Sequence, residues 1–329
     1  MSTAYTKSKK SFLDLGIFPE LLKLMKPRVM SLVIFTCAVG LLTAPNSVTF
    51  TTSALGILIV AIGAGAAGAL NMWYEADVDK LMTRTCLRPI PRGSLEKNQA
   101  LYFGTALSIL SVISLYYFTN LLSASLLLFT ILFYVFIYTI WLKRTSPQNI
   151  VIGGIAGSTP PLIGWAAAAA GTIESMNPLD LGSPIPWMLF ALIFLWTPPH
   201  FWALALYRSG EYADAKVPMM NEVKGAEHTL FQSKIYCVLL FLLGSVPCFW
   251  PESGLPLLWA FMSGGLTFWY SKSVWEIDPN EPMDENGRMP KAAKSFFRSL
   301  YYLGWMFLSL VIVTIIPPEM LGFFGPLDI

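Results

Sequence analysis

The chain has 329 residues, of which 55% are hydrophobic and 13% charged, and its formal net charge at neutral pH is +2. This composition, with a mean hydropathy of +0.58, excludes an ordinary soluble domain and indicates an integral membrane protein. The four cysteines are scattered without a C-x-x-C pair, so neither a disulfide framework nor a thiolate metal site is expected.

Long apolar stretches predict the architecture. A helix needs about 20 mostly apolar residues to cross a bilayer. Nine stretches of about this length are almost free of charged residues, and they run roughly over 28–45, 50–72, 100–118, 121–142, 149–171, 186–206, 234–250, 255–271 and 299–316. We therefore predict an all-α membrane protein with nine transmembrane helices in one domain over 28–316. An N-terminal arm over 1–27 precedes this domain, and a short tail over 317–329 follows it.

The basic residues predict the orientation. All 22 Lys and Arg residues fall in the N-terminal arm or in alternate connections between the predicted spans. By the positive-inside rule, the N-terminus is cytoplasmic and the C-terminal tail lies on the other side. The N-terminus lacks the apolar core of a secretory signal, so a bacterial inner membrane is the expected location. No aromatic and basic interleaving indicates binding to nucleic acid.

The second predicted span ends in the charged stretch "NMWYEADVDKLMTRTCLRPIPRG", residues 71–93. If the helix continues through it, Asn71, Glu75 and Asp79 recur every four residues and form one stripe, whereas Asp77 points away. Oxygen ligands of this kind suit Mg²⁺, which usually binds through one or two carboxylates together with substrate phosphates. The stripe therefore predicts a site for a metal-bound polyphosphate.

Basic side chains follow the acids directly. Arg84, Arg88 and Arg92 stand where a polyphosphate would need positive charge. The alternative is a solvated helix end, in which the acids only pair with Lys80, Arg84 and Arg88. The position of the stripe argues against a solvated helix end. The stripe begins inside the apolar segment, where an unpaired polar side chain such as that of Asn71 costs free energy. A second basic pair, Lys143 and Arg144 in "YTIWLKRTSPQNIVIGG", is predicted on the same side of the membrane.

A second polar group of residues occurs in "WTPPHFWALALYRSGEYADA", at the end of the sixth predicted span. Its two prolines, at positions 198 and 199, are expected to break or kink the helix. Beyond them His200, Tyr207 and Glu211 return to nearly the same face, provided that Gly210 does not interrupt the helix. His200 equally suits a histidine that only bonds a neighbouring helix, and Glu211 a solvated loop acid.

These motifs together carry a resemblance. The pattern Asn71-x-x-x-Glu75-x-x-x-Asp79 resembles the N-x-x-x-D-x-x-x-D motif of the UbiA-type intramembrane prenyltransferase superfamily. The stretches quoted above, together with "LLKLMKPRVMSLVIFT" and "VPMM", are similar to the branch of that superfamily that farnesylates heme. The resemblance runs from about Lys26 to Lys234 and carries little of the last two spans.

The resemblance implies a helical bundle around a central cavity that opens toward the cytoplasmic leaflet. It implies farnesyl diphosphate as donor, heme b as acceptor, heme O as product and Mg²⁺ as cofactor, all handled within membrane lipid. Heme A synthase or oxidase assembly proteins are implied as protein contacts. A prenyltransferase acting on a quinone precursor or another lipid acceptor is the first alternative. A cation-coupled transporter is the second, but its acids would be expected near the midplane of the membrane.

The resemblance also implies residue roles. Asn71, Glu75 and Asp79 would hold the Mg²⁺ diphosphate, with Glu211 in place of the second acidic motif. Two departures concern the acids, because Glu75 stands where the motif has Asp and "EYADA" begins with Glu211 where the superfamily shows Asp. The implied substrate-binding residues are Arg28, Lys80, Arg84, Arg88, Lys143, Arg144, Tyr207 and His200. Among them, His200 is the candidate for orienting the heme.

Overall fold

The structure is a computed structural model that describes residues 15–45, 48–169, 181–208, 210–249, 257–285, 288–316 and 320. All regular elements within these ranges are helical. The α-helices are α1 (Phe18–Leu24), α2 (Pro27–Leu42), α3 (Phe50–Tyr74), α4 (Lys97–Phe118), α5 (Leu121–Leu132), α6 (Lys143–Thr145), α7 (Asn149–Ser158), α8 (Pro160–Ala168), α9 (Ile185–Tyr207), α10 (Glu211–Asp214), α11 (Met220–Gly244), α12 (Val246–Phe249), α13 (Leu257–Trp275) and α14 (Pro290–Ile315). Short 3₁₀ turns occur at Leu15–Ile17 and Val78–Lys80, and a π-helix at Phe133–Leu142 joins α5 to α6.

Within the described ranges, six helical segments are long and apolar enough to cross a membrane. They are Phe50–Tyr74, Lys97–Phe118, Leu121–Thr145, Asn149–Ala168, Ile185–Tyr207 and Pro290–Ile315. The pair α1 and α2, bent by 58° at its junction, makes a seventh if it counts as one span. Helices α11 and α13 lie where the sequence predicts the seventh and eighth spans, but they are not among the six. The predicted arm and tail fall largely outside the described residues.

Small residues allow close contact between α2 and α8. A Cβ atom on Gly40 of α2 would overlap the backbone of Pro161 in α8, and one on Gly164 of α8 would overlap the backbone of Cys37. The two helices therefore touch backbone to backbone, as small residues permit in membrane bundles. Two large apolar clusters flank this contact, one built from α2, α3, α5 and α8, the other mainly from α9, α11, α13 and α14.

The prolines of α9 neither end nor break this helix. Helix α9 is continuous from Ile185 to Tyr207, so the prolines at residues 198 and 199 do not break it. Polar bonds just before the prolines support the helix: Thr197 donates to the carbonyl of Ile193, and the indole of Trp196 donates to the carbonyl of Ser299 in α14. Side-chain and interhelix bonds of this kind make proline tolerable within membrane helices.

The charged ends of α3 and α9 differ from the predicted continuous helices. Helix α3 ends at Tyr74, and Glu75 caps it with φ −87° and ψ 8°, so the α-helix does not continue to Asp79. Helix α9 ends at Tyr207, and Gly210 takes the left-handed φ of 97° before α10 begins. Glycine takes that conformation without steric cost, so the chain turns here. Both acidic motifs therefore lie on turns that follow long apolar helices.

Candidate functional site

Three polar side chains at the end of α3 are buried. Asn71, Glu75 and Asp79 are only 2%, 3% and 2% exposed. The amide of Glu75 bonds the carbonyl of Asn71 at 2.9 Å, and the amide of Asp79 bonds the carbonyl of Glu75 at 2.8 Å. This bonding keeps a helical spacing after α3 ends, so the predicted stripe persists although its helix does not. The side chain of Asp77 is 62% exposed, as the sequence predicts for the opposite face.

We call Asn71, Glu75 and Asp79 together the acidic triplet. The side chain of each of the three contacts a different basic side chain. The pairs are Lys26 Nζ with Asn71 Oδ1 at 2.5 Å, Lys143 Nζ with the carboxylate of Glu75 at 2.6 Å, and Arg88 Nη1 with both carboxylate oxygens of Asp79 at 2.8 Å. Two carboxylates thus face three basic side chains. This excess of basic side chains suits an anion.

The charge state of Glu75 follows from these neighbours. Burial acts to raise the pKa of the Glu75 carboxyl, but the charges of Lys143 and Lys26 and the hydrogen bond from Lys143 outweigh burial and lower it. On the exposed side, the hydrogen bond from Arg144 lowers the pKa of Asp77. Both side chains are therefore carboxylates at neutral pH.

The π-helix explains how one segment supplies several site residues. Its amides bond carbonyls five positions back, as the amide of Lys143 does to the carbonyl of Tyr138. In this register Tyr134 approaches Lys26, Thr139 accepts from the amide of Asn71 at 3.0 Å, and Lys143 reaches Glu75. In an α-helix, residues nine apart such as Tyr134 and Lys143 differ by about 180° in direction. The π-register therefore brings them to one face.

Lys26 was not predicted as a site residue. It lies at the junction of α1 and α2 with φ 52° and ψ 60°, a left-handed conformation, and the following Pro27 disfavours the right-handed α region at this position. The Lys-Pro pair in the sequence marks a helix boundary but does not reveal the contact of Lys26 with Asn71. Arg28, the predicted residue, is instead exposed on the first turn of α2.

A buried carboxylate fixes helix α1, which precedes Lys26. Glu20 of α1 accepts a bond from the hydroxyl of Ser94 at 2.9 Å and pairs with Arg92 and Lys23. Arg92 and Ser94 belong to the segment that also carries Arg88. The contacts of Glu20 with Ser94 and Arg92 therefore hold α1 against the segment that follows the acidic triplet.

The remaining predicted basic residues lie farther from the triplet. Lys80 is exposed. Arg84 is exposed and donates to the hydroxyl of Tyr212 at 3.4 Å, and Arg144 pairs with Asp77 at 2.8 Å. The structure thus brings Arg88 and Lys143 to the buried acids, while the other predicted cations lie at the edge.

Glu211 approaches the first motif from α10. Its Oε1 accepts from the hydroxyl of Thr83 at 2.8 Å and from Arg208 at 3.0 Å. Its Oε2 is buried and has no hydrogen-bond partner among the described residues. Tyr207 faces elsewhere, because Arg208 and Arg288 each lie 5.5 Å from its ring. The two motifs therefore meet through Thr83 and Glu211.

His200 lies in an aromatic stack between α9 and α14. Its ring is stacked on Trp196 at 4.2 Å and on Phe296 at 4.7 Å, and its Nδ1 lies 2.5 Å from the hydroxyl of Ser299. The side chain is buried. Its polar contact is thus with α14, and the expected shared face with Glu211 ends where Gly210 turns the chain.

A cleft of about 50 Å³ lies beside Asp79, where the segment after α3 meets the π-helix, α7 and α10. It is lined by Asp79, Met82, Arg84, Thr85, Arg88, Tyr138, Lys143, Asn149, Ile150, Phe201, Tyr212 and Met219. No three His, Cys, Asp or Glu side chains in the described ranges are grouped closely enough to hold a metal ion alone. A cation in the cleft would therefore need further oxygen ligands, which substrate phosphates and amide groups can supply.

Comparisons with known proteins agree with this geometry. The UbiA prenyltransferase family matches residues 32–301. The protoheme IX farnesyltransferase of Pelagibacter ubique is 53% identical over 298 residues, covering 91% of this chain and 93% of the relative. That of Brucella anthropi is 45% identical over 312 residues, covering 93% and 94%.

Solved structures show the same fold. A UbiA homologue from Archaeoglobus fulgidus bound to DMAPP and Mg²⁺ has a TM-score of 0.62 at 14% identity and covers 89% of this chain and 99% of its own. The apo UbiA homologue from Aeropyrum pernix K1 also has a TM-score of 0.62, at 17% identity, with 88% and 98% covered. The family match and the two farnesyltransferase relatives, which align over nearly their full length, show that the chain belongs to the UbiA prenyltransferase family.

Proposed function

We propose that this protein transfers a farnesyl group from farnesyl diphosphate to a vinyl group of heme b and, with addition of water, forms heme O and diphosphate. The names of the relatives at 45% and 53% identity support this substrate pair. The observation that carries the proposal is the buried triplet of Asn71, Glu75 and Asp79, contacted by Lys26, Lys143 and Arg88. Such a site suits a diphosphate at the membrane surface.

The cations act on the leaving group. When the allylic carbon–oxygen bond breaks, negative charge grows on the diphosphate oxygens, and preorganised donors that face this charge lower the barrier. Lys26, Lys143 and Arg88 provide such donors, and Arg84 extends them along the cleft. Arg28 and Lys80 are exposed and Arg144 is paired with Asp77, so for these three we propose attraction of the substrate by long-range electrostatics.

The oxygen donors fit Mg²⁺. Asn71, Glu75 and Asp79 present amide and carboxylate oxygens, and Glu211 adds a buried carboxylate oxygen without a hydrogen-bond partner in the described structure. We propose that these four residues hold the ion together with diphosphate oxygens. When bound, Mg²⁺ would neutralise the charge that develops on the leaving diphosphate. The binding of DMAPP or GPP with Mg²⁺ by the Archaeoglobus homologue supports a metal-dependent mechanism.

For the acceptor, we propose that His200 orients the heme. The Nδ1 of His200 is engaged by Ser299, so Nε2 is the ring nitrogen left for an iron atom. Tyr207, the last residue of α9, lies near two guanidinium groups, those of Arg208 and Arg288, that suit the propionates of a porphyrin. The apolar walls around α9 would limit capture of the farnesyl cation by bulk water.

The decisive experiment is mass spectrometry of hemes extracted from membranes with and without the protein. Heme O should appear only with the protein present. A prenylated quinone precursor or lipid would instead favour the alternative acceptor. Ion flux across vesicles that contain the purified protein would favour a transporter. Contact with heme A synthase or with oxidase assembly proteins remains a proposal, which copurification from native membranes tests.

We further propose nine crossings of a bacterial inner membrane, with a cytoplasmic N-terminus and an active site that faces the cytoplasm. Labelling of single cysteines tests this topology at residue 92 and at residue 180, of which residue 180 lies outside the described residues. Arg92 is engaged with Glu20, so Leu87, 74% exposed in the same segment, is the better position. Position 87 should react from the cytoplasm and position 180 from the other side, and reversed accessibility would contradict the topology.

A further inference from the structure

Asn149, the first residue of α7, lines the same cleft as Asp79. Its side chain is fully buried, and it shares the cleft with Asp79, Arg88 and Lys143. Neither acidic motif contains it. A fully buried amide must satisfy both of its polar ends, or the structure loses free energy.

The hydrogen bonds of Asn149 fix the direction of its amide. Its Nδ2 donates to the carbonyl oxygen of Ser146 at 2.6 Å and to that of Pro218 at 3.2 Å. Both partners are carbonyl oxygens, so turning the amide over would set oxygen against oxygen. The Oδ1 atom is buried and has no hydrogen-bond partner among the described residues. Asn149 therefore has one oxygen left for a ligand.

The chemistry of the cleft limits what that ligand can be. The nearby basic side chains contact other groups, Arg88 with Asp79, Lys143 with Glu75 and Arg84 with Tyr212, and none of them donates to Asn149 Oδ1. A diphosphate offers only acceptor oxygens, which repel an amide oxygen. A hard divalent cation, or a water molecule of its hydration shell, is what an amide oxygen binds beside phosphate.

We propose that Asn149 is a further oxygen ligand of the Mg²⁺ ion, in addition to the two acidic motifs. The inference rests on the proposed function and extends it. Its carboxamide oxygen binds the ion or one of its water molecules, while the carbonyls of Ser146 and Pro218 hold the amide in place. Helix α7 thus contributes an oxygen to the metal site in addition to those of the two acidic motifs.

Two substitutions separate a metal ligand from a structural anchor. Asn149→Ser removes the oxygen that faces the cleft but retains a hydroxyl donor for the carbonyl three residues back, a bond that serine commonly makes in helices. Asn149→Asp keeps an oxygen ligand and adds charge, but it loses the amide donors. A ligand role and an anchor role therefore predict opposite orders for these variants.

The measurement is binding of farnesyl thiodiphosphate, an unreactive donor analogue, to the purified full-length protein, titrated with Mg²⁺ and repeated in EDTA. We expect Asn149→Ser to raise the Mg²⁺ midpoint by about tenfold, the lower end of what changes around metal sites cost. Its affinity in EDTA should stay within about twofold of wild type, since charged hydrogen bonds to phosphate are untouched. Asn149→Asp should match or lower the wild-type midpoint.

Asn221 gives a matched control. Its Oδ1 also lacks a hydrogen-bond partner in the described structure and its Nδ2 bonds Glu222, but it does not line the cleft. Asn221→Ser should leave the Mg²⁺ midpoint unchanged. If Asn149→Ser keeps the wild-type midpoint, or loses binding equally with Mg²⁺ and in EDTA, Asn149 is not a ligand. If the wild-type protein itself binds the analogue without regard to Mg²⁺, the metal part of the proposed function fails instead.

Discussion

The ammonium group of Lys26 lies 2.5 Å from the side-chain oxygen of Asn71. This contact joins the bend between α1 and α2 to the last turn of α3, and it places a cation above the buried acids. Tyr134 of the π-helix lies beneath the same ammonium group, 5.9 Å from it to the ring centroid. The junction of α1 and α2, the end of α3 and the π-helix therefore meet at the ammonium group of Lys26.

Replacing Lys26 tests whether that charge serves the donor. Lys26→Met keeps the length of the side chain but removes its charge. Charged hydrogen bonds contribute about 1.5–3 kcal/mol, so affinity for farnesyl thiodiphosphate should fall about tenfold to a hundredfold. The measurement is equilibrium binding with the unreactive analogue.

Arg28→Met is the matched control, because it removes one charge two positions away on an exposed turn. It should weaken binding only slightly and mainly at low salt, as expected for long-range attraction. A larger effect at Arg28 than at Lys26 would contradict the role of Lys26 in donor binding and would support Arg28, the residue that the sequence analysis predicted.

Asp79 and Asp77 test the buried stripe. Asp79→Asn should lose most turnover and raise the Mg²⁺ requirement, because a carboxylate is removed that faces the cleft. Asp77→Asn should be far milder, since its side chain is exposed and contacts Arg144. The measurement is the steady-state rate over a series of Mg²⁺ concentrations. Equal losses of turnover at positions 79 and 77 would contradict a site formed by the buried face alone.

The extent of successful sequence prediction differs between the parts of this site. The apolar runs at 50–72 and 186–206 correspond closely to Phe50–Tyr74 and Ile185–Tyr207, because hydropathy records burial in lipid directly. The spacing of Asn71, Glu75 and Asp79 was also readable, although α3 ends before Asp79. Intervals of four residues survive in a turn that keeps helical hydrogen bonds.

Two features of the site could not be read in this way. The π-register of Phe133–Leu142 shifts side chains around the helix, yet most of its residues are apolar, and their order does not reveal the larger number of residues per turn. The left-handed backbone conformation of Lys26 depends on the packing of α1. The ion pair between Glu20 and Arg92, which are distant in sequence, fixes this packing. Both features are properties of tertiary packing rather than of local pattern.

The π-helix itself is open to a direct test by deleting Phe136, whose side chain is exposed. Removing one residue and restoring α-helical bonding would leave Tyr134 and Lys143 eight positions apart, about 80° apart in direction, so that they would no longer share one face. Lys143 would then turn away from Glu75. We expect donor binding to fall more than about tenfold, since a buried carboxylate loses its partner.

Phe136→Ala is the control for this deletion, because it removes the same side chain without changing the register. It should bind the donor analogue nearly as the wild type does. Preserved affinity in the deletion variant, with its folded state verified by thermal unfolding, would show that the register does not position Lys143.

His200 is where sequence and structure differ most in what they favour. The family resemblance makes His200 a candidate for orienting heme, whereas the structure places the ring between Trp196 and Phe296 with Nδ1 on Ser299. A ligand role needs Nε2 and a fixed ring orientation, and Ser299 provides that orientation. His200→Gln retains a polar group for Ser299 but cannot act as an imidazole ligand, so heme binding should weaken about tenfold or more.

The absorption spectrum of bound heme measures heme binding independently of farnesyl diphosphate binding. In His200→Gln the Soret band should shift or lose intensity, while binding of farnesyl thiodiphosphate stays near the wild-type value, because the diphosphate contacts lie on other residues. Ser299→Ala leaves the imidazole intact and frees Nδ1, so it should weaken heme binding less than His200→Gln. If His200→Gln binds heme with the wild-type spectrum and forms heme O at the wild-type rate, His200 only packs α9 against α14.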